Sequence, residues 1–206
     1  MYNAHMPCVK RDVRLRAPCL SAMWLAVLLV GAASPVPALA DPRGASRFGG
    51  DFTLTDHHGR TFSLADARGK VVLLHFGFTS CADSCPTTMV KVAAALRELG
   101  ALAGHVQPLL VTLDAKRDTP AVLRRYVAHF HPAYLGLTGT QEAVEAVAGL
   151  YRTPVHVHPP DANGSYAVDH GSGLFLIDTE GRLARTVFFD SPPERIAHHV
   201  RLLLTR

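Results

Sequence analysis

Residues 71–86 read Val-Val-Leu-Leu-His-Phe-Gly-Phe-Thr-Ser-Cys-Ala-Asp-Ser-Cys-Pro. The continuous apolar run from Val71 to Phe76 is the pattern of a strand buried on both faces of a sheet. A short loop carrying Cys81 and Cys85 follows it. Pro86 is suited to open a helix, because its missing N–H falls among groups that have no partner in a first turn. Met89, Val92, Leu96 and Leu99 recur on one face of that helix, and Gly100 ends it. Two thiols therefore stand where a central strand gives way to a helix N-terminus.

Working outward, Phe52 to Leu64 alternates apolar and polar residues around Asp56-His57-His58-Gly59, which predicts an N-terminal hairpin. Val106 to Leu113 reads as a second core strand, weakened at its start by Pro108. Thr119 caps and Pro120 starts a helix with Val122, Leu123, Tyr126, Val127 and Phe130 apolar. Residues 141–150 make another helix. Residues 152–173 read as a long polar loop rich in Pro, His and Gly, and loops of that length in a compact domain are commonly functional. Leu174–Ile177 and Leu183–Phe189 are strands joined by a turn at Asp178–Gly181. Ser191 and Glu194 match a capping box for a last helix with Ile196, Val200 and Leu203 on its apolar face. Strands alternating with helices give an α/β domain. The cysteine pair at a strand–helix junction, with a late hairpin and helix, predicts a thioredoxin-like fold. That fold is a central mixed sheet flanked by helices, here with an N-terminal β-hairpin.

The chain has 206 residues, 48% hydrophobic and 18% charged, enough apolar content for one packed domain and too much for a disordered one. Lys10, Arg11, Arg14 and Arg16 precede an apolar run from Ala17 to Ala33, and Ala38-Leu39-Ala40 offers an A-x-A cleavage site. Residues 1–40 are therefore expected to be a signal peptide or an uncleaved membrane anchor, 41–50 a linker, and 51–206 the folded domain. Export to the periplasm, soluble or anchored to the inner membrane, follows. Most of the net charge of +4 lies in the address: beyond it, 17 basic and 16 acidic residues remain, which argues against nucleic acid as a partner.

Cys8 and Cys19 lie in the address, so the exported body keeps only Cys81 and Cys85. One close pair cannot serve as a disulfide scaffold for a domain of this size, and it points to redox or metal chemistry. Thiolate is the form that attacks disulfides and also the form that binds metal, and a helix N-terminus favours it. The spacing is C-x-x-x-C, which lets both sulfurs face one side and grip one soft ion. A structural disulfide is the plainer alternative. His170, in Tyr166-Ala167-Val168-Asp169-His170-Gly171, precedes the strand at Leu174. In a thioredoxin-like fold that segment packs against the cysteine loop, so an imidazole there faces the two sulfurs. Two sulfurs and one nitrogen suit copper in either oxidation state, or zinc. Asp169 is a candidate to orient the ring.

These motifs resemble the Sco (SenC-type) family of copper-delivery proteins from about Phe52 to Leu204. The likeness is carried by Gly77-Phe78-Thr79-Ser80-Cys81 through Cys85-Pro86, by Thr112 through Pro120, by Leu135-Gly136-Leu137-Thr138-Gly139, and by Tyr166–His170 with Leu176-Ile177-Asp178. The resemblance implies copper, Cu(I) or Cu(II), held by Cys81, Cys85 and His170. It also implies a role in assembling the binuclear copper centre of cytochrome c oxidase subunit II. Asp83 and Asp114 fall on acidic positions of the family and join Asp169 as candidates behind the ligands; Asp118 completes the D-x-x-R-D-T-P stretch. Ala82 and Ala115 stand where proline is usual, and Gly171 where serine is common; none of these removes a ligand.

The leading expectation is a copper-binding assembly factor rather than an enzyme, loaded by a copper donor and serving the oxidase subunit or another copper enzyme. The rival is an exported thiol–disulfide oxidoreductase using Cys81 and Cys85. A peroxidase is disfavoured because no arginine can be named beside a peroxidatic cysteine. His156 and His158 share a face if extended and are weighed as an auxiliary metal site or a solvated loop, with the loop favoured. His57-His58 and His198-His199 are expected at the surface, and His75 buried with a hydrogen bond.

Overall fold

The computed structural model describes residues 48–163 and 166–205. The expected address segment, and the linker up to residue 47, lie outside the described residues. Val71–Gly77 forms a fully buried strand, β3, after the N-terminal hairpin of β1 (Thr53–Asp56) and β2 (Thr61–Ser63). Next come α1 (Ser84–Leu99), β4 (Val106–Thr112), α2 (Pro120–Ala128), β5 (Leu135–Thr138) and α3 (Gln141–Leu150). A small hairpin of β6 (Val155–Val157) and β7 (Val168–His170) precedes β8 (Gly173–Ile177), β9 (Leu183–Phe188) and α4 (Pro193–Leu204). The main sheet runs β2-β1-β5-β4-β3-β8-β9. β3 pairs parallel to β4 and β4 parallel to β5, while β8 runs antiparallel to β3, and β1 antiparallel to β5. This is the expected mixed thioredoxin-like sheet.

The period of two along β3 sorts the core. Val71 and Leu73 pack with Met89, Val92 and Leu96 of α1, Leu123 of α2 and Ile196 and Val200 of α4. Val72, Leu74 and Phe76 face the other way, onto Val144 and Val147 of α3, Phe52 and Leu54 of the hairpin, and Tyr151. Both faces of the sheet are thus covered, which explains the unbroken apolar run.

Several expectations change. β5 was not anticipated between α2 and α3. A β-carbon at Gly136 would lie 3.0 Å from Leu123 Cβ, so this glycine lets α2 sit close on the strand. The 152–173 segment is not one loop but carries the β6–β7 hairpin. α1 begins at Ser84, two residues before the expected start, and Pro86 sits within its first turn. The Ser191/Glu194 capping box does not form. Pro193 forces the preceding Pro192 into an extended conformation (φ −67°, ψ 151°), so Pro192 becomes the cap and Ser191 falls outside the helix. His57 is buried rather than at the surface, and its Nδ1 accepts the Gly136 N–H at 3.0 Å. His75 is buried as expected, yet neither ring nitrogen has a hydrogen-bond partner among the described residues. Burial, aided by the charge of His170, lowers its pKa to about 3, and a contact with the Leu109 backbone offsets only part of this.

Candidate metal centre

The parallel pairing of β3 with β4 ends at Gly77 and Thr112, so the loops leaving both strands emerge side by side. The β3 loop carries Cys81, and Cys85 lies in the first turn of α1. β8 lies against the other edge of β3, with Leu174 opposite His75. That register brings the end of β7, and His170, over the cysteine loop. The donor atoms of Cys81, Cys85 and His170 all lie within 4.8 Å of one another. Cys85 Sγ is 3.7 Å from His170 Nε2. An ion held about 2.3 Å from sulfur and about 2.0 Å from imidazole nitrogen sets those two atoms roughly 3.5–3.7 Å apart at trigonal or tetrahedral angles. The pair is already spaced for ligation.

The tautomer of His170 is fixed locally. Its Nδ1 donates to the Gly171 carbonyl at 3.0 Å, since a carbonyl can only accept, and this leaves Nε2 as the lone-pair atom facing sulfur. The ring also meets Phe78 edge to face, with centroids 5.8 Å apart. Gly77 is part of the site by absence of a side chain: a β-carbon there would lie 2.8 Å from Cys85 Sγ.

Both cysteines are free thiols, but they differ. Burial pushes the Cys85 thiol up to about 12, and its hydrogen bond to Cys81 adds to the shift. At half-buried Cys81, burial works in the same direction but is outweighed. Hydrogen bonds from the Cys85 thiol, the Asp83 and Cys85 backbone N–H groups and the Ser84 hydroxyl hold its pKa below the ordinary thiol value. Cys81 is thus the more acidic thiol of the pair and Cys85 the less acidic one.

The acidic candidates occupy different places. Asp83 is exposed at the start of α1 and caps nothing with its side chain. Asp114 is buried and bonded to the Arg117 side chain, and it accepts the Tyr166 hydroxyl at 2.7 Å. Arg117 stacks over the Tyr166 ring at 3.8 Å and donates to the Tyr166 carbonyl at 3.2 Å. Asp114 thus ties the segment leading to His170 onto the loop after β4. Asp169 accepts from His158 Nε2 at 2.7 Å rather than from His170. In the sequence, Asp118 is marked only as the aspartate that completes the D-x-x-R-D-T-P stretch. It is fully buried and accepts from the Thr79 N–H (2.9 Å), Thr79 hydroxyl (2.5 Å) and Thr112 hydroxyl (2.6 Å), so it sets the path of the Cys81 loop. The sequence signal for Gly77 was a glycine closing an otherwise apolar strand, which marks a close approach.

The SCO1/SenC family model matches residues 40–205. The chain belongs to the SCO1/SenC family. A SCO2-like protein of Rickettsia felis is 36% identical over 156 residues, covering 75% of this chain and 76% of that protein. The Bos taurus protein SCO2 homolog, mitochondrial, is 46% identical over 134 residues, 64% of this chain and 50% of its own length. The structure of Bradyrhizobium japonicum ScoI with copper bound matches with a TM-score of 0.71 at 32% identity, covering 76% of this chain and 99% of that one. Against this SCO1/SenC background, the cysteine pair and distant histidine picked out from the chain are the residues that the fold brings together.

Proposed function

We propose that the protein carries one copper ion on Cys81, Cys85 and His170 and delivers it during assembly of the binuclear copper site of cytochrome c oxidase subunit II, or to another copper enzyme. The observation that carries this reading is the convergence of two sulfurs and one ligating-tautomer nitrogen within 4.8 Å, from residues distant in the chain. Two thiolates and an imidazole accept copper in either oxidation state. The copper bound in the Bradyrhizobium japonicum relative supports the choice of ion. Copper is cargo here, so the chain's own task is to hold it, release it and keep both sulfurs reduced, because a disulfide offers no thiolate. The protein is then not a turnover enzyme. Residues 1–40 would direct it across a membrane, into the periplasm or as an inner-membrane anchor, with a copper donor on one side of its cycle and the copper enzyme on the other. No helix among the described residues is long and apolar enough to cross a membrane.

One observation favours a second reading, a thiol–disulfide oxidoreductase acting on a partner's cysteines: the thiols are unequal. A more exposed, more acidic Cys81 beside a buried Cys85 whose thiol is pushed up to about 12 fits an attacking and resolving pair. Copper titration of the reduced, metal-free protein separates the two. The carrier binds one copper per chain, and His170→Ala weakens it at least tenfold while both thiols stay titratable. A wild-type protein that takes up no stoichiometric copper yet exchanges rapidly with a partner disulfide would overturn the carrier reading in favour of the other.

A further inference from the structure

The β6–β7 hairpin has two chemically different faces. The register pairs Val155 with His170, His156 with Asp169 and Val157 with Val168, and the ladder continues through the His158 N–H donating to the Ala167 carbonyl at 2.9 Å. Side chains alternate across a hairpin, and directly opposed residues share a face. One face therefore carries Val155, Val168 and His170, turned toward the sulfurs. The other carries His156, His158 and Asp169, with His156 and Asp169 exposed and His158 partly so. These three outward groups take no part in the Cys81, Cys85 and His170 site.

We propose that His156 and His158 form a second metal site that takes a borderline divalent ion such as Cu2+ or Zn2+, with Asp169 holding His158 in the ligating tautomer. Two observations carry this. The two imidazole rings lie 4.6 Å apart between centroids, at 86° to one another. Two imidazoles bound to one ion at about 2.0–2.1 Å have ring centres roughly 4.5–5.2 Å apart for ligand angles between about 90° and 110°. The second observation is the 2.7 Å contact of His158 Nε2 with Asp169 Oδ2. A carboxylate accepts the Nε2 proton, so Nδ1 of the neutral ring is left with its lone pair. A carboxylate behind a ligating histidine raises its basicity and fixes its orientation. Water completes the coordination of an ion at an exposed pair.

The donor chemistry separates this site from the inner one. Imidazole nitrogens with water suit Cu2+ and Zn2+, whereas the sulfur pair selects soft ions. Asp169 and His170 are adjacent in the chain, so a single strand serves both sites.

The test uses the full chain with Cys81→Ser and Cys85→Ser, which removes the sulfur site, and Zn2+ as the probe. That protein retains one zinc equivalent that is lost when His156→Gln and His158→Gln are added, with an unchanged circular dichroism spectrum. Cu2+ at the same site gives an electron paramagnetic resonance signal with nitrogen coupling and no thiolate charge-transfer band. Asp169→Asn weakens zinc about tenfold, the usual loss for a partner behind a ligand. It also changes the ring-nitrogen signals of His158 in 15N NMR without moving those of His156. Zinc binding unaffected by the two glutamine substitutions would overturn the proposal. So would loss of the residual ion on His198→Ala and His199→Ala instead. Because the sulfurs are absent throughout, failure of copper delivery by the inner site leaves this result untouched.

Discussion

Replacing Gly77 with alanine tests whether the inner site owes its geometry to a missing side chain. The added β-carbon would sit 2.8 Å from Cys85 Sγ, and 3.4 Å from both Cys85 Cβ and Leu110 Cδ1. Ordinary carbon contacts lie near 3.5–4.0 Å, so the sulfur must retreat by roughly 1 Å. The strand cannot yield instead, since Gly77 is paired with Thr112 in a buried parallel ladder. Cys85 is 2% exposed, so the sulfur has little space and leaves the 3.7 Å contact with His170. Overpacking costs about 1–3 kcal/mol, and relief of glycine's backbone entropy returns about 0.5–1 kcal/mol. Net stability therefore falls by about 0–2.5 kcal/mol, and the protein stays folded. Copper affinity falls about 10–100-fold, equivalent to about 1.4–2.7 kcal/mol, the range found when a ligand loses its support. Competition of the reduced protein with a Cu(I) chelator measures the affinity, and thermal unfolding measures the stability. Gly149→Ala is the control: it lies in α3 with open space around the new carbon, so it gains about 1 kcal/mol and leaves copper unchanged. A folded Gly77→Ala protein whose copper affinity stays within twofold of the wild type refutes the argument.

Three further outcomes are expected. Iodoacetamide at pH 7, followed by mass spectrometry, labels Cys81 more than about tenfold faster than Cys85, because Cys85 is buried and its thiol pushed up to about 12. Asp118→Asn leaves three converging donors with one acceptor; it costs about 2–4 kcal/mol in urea unfolding and speeds labelling of Cys81 by freeing its loop. The pH dependence of stability carries the signature of His57, whose pKa is lowered by burial and then by the charge of His58. The unfolded chain takes up its proton near pH 6.5 while the folded ring resists. This stabilisation is complete above pH 6.5 and is lost as pH falls toward the folded value, by at most about 1.4 kcal/mol per unit. His57→Asn keeps an acceptor for Gly136 but does not titrate, so its urea midpoint changes less between pH 7.5 and 5.

Long, strongly patterned elements were legible in the chain because burial on both sheet faces writes itself as an unbroken apolar run, and burial on one helix face as a period. β3, α1 and the late hairpin followed from that alone. β5 did not, because Leu135-Gly136-Leu137-Thr138 is too short for a period and its glycine answers to α2 rather than to the strand. β6 and β7 are three residues each, and their partners are each other across a polar connection. The ligands were legible through chemistry: thiols at a helix start, and an imidazole before a strand. Their supports were harder to see. An aspartate that accepts three hydrogen bonds in the interior looks, in a chain, like an aspartate in solvent, and only the fold distinguishes Asp118 from Asp83.

The departure at Gly171, where the resemblance to the family leads one to expect serine, has a steric cause. A β-carbon at Gly171 would meet Pro154 Cδ at 2.9 Å, and the Gly171 N–H donates to the Pro154 carbonyl at 3.1 Å. Proline at 154 and glycine at 171 therefore form a matched pair closing the base of the hairpin, directly beside His170. A rigid ring fills the place that a serine side chain would need, and the backbone hydrogen bond holds the carbonyl of Gly171 where His170 Nδ1 donates to it. Gly171→Ser alone should displace that carbonyl and loosen the tautomer of His170, whereas Gly171→Ser combined with Pro154→Ala should recover it. The substitution at 171 is then compensated within the hairpin, and the ligand geometry is preserved by a different pair of residues.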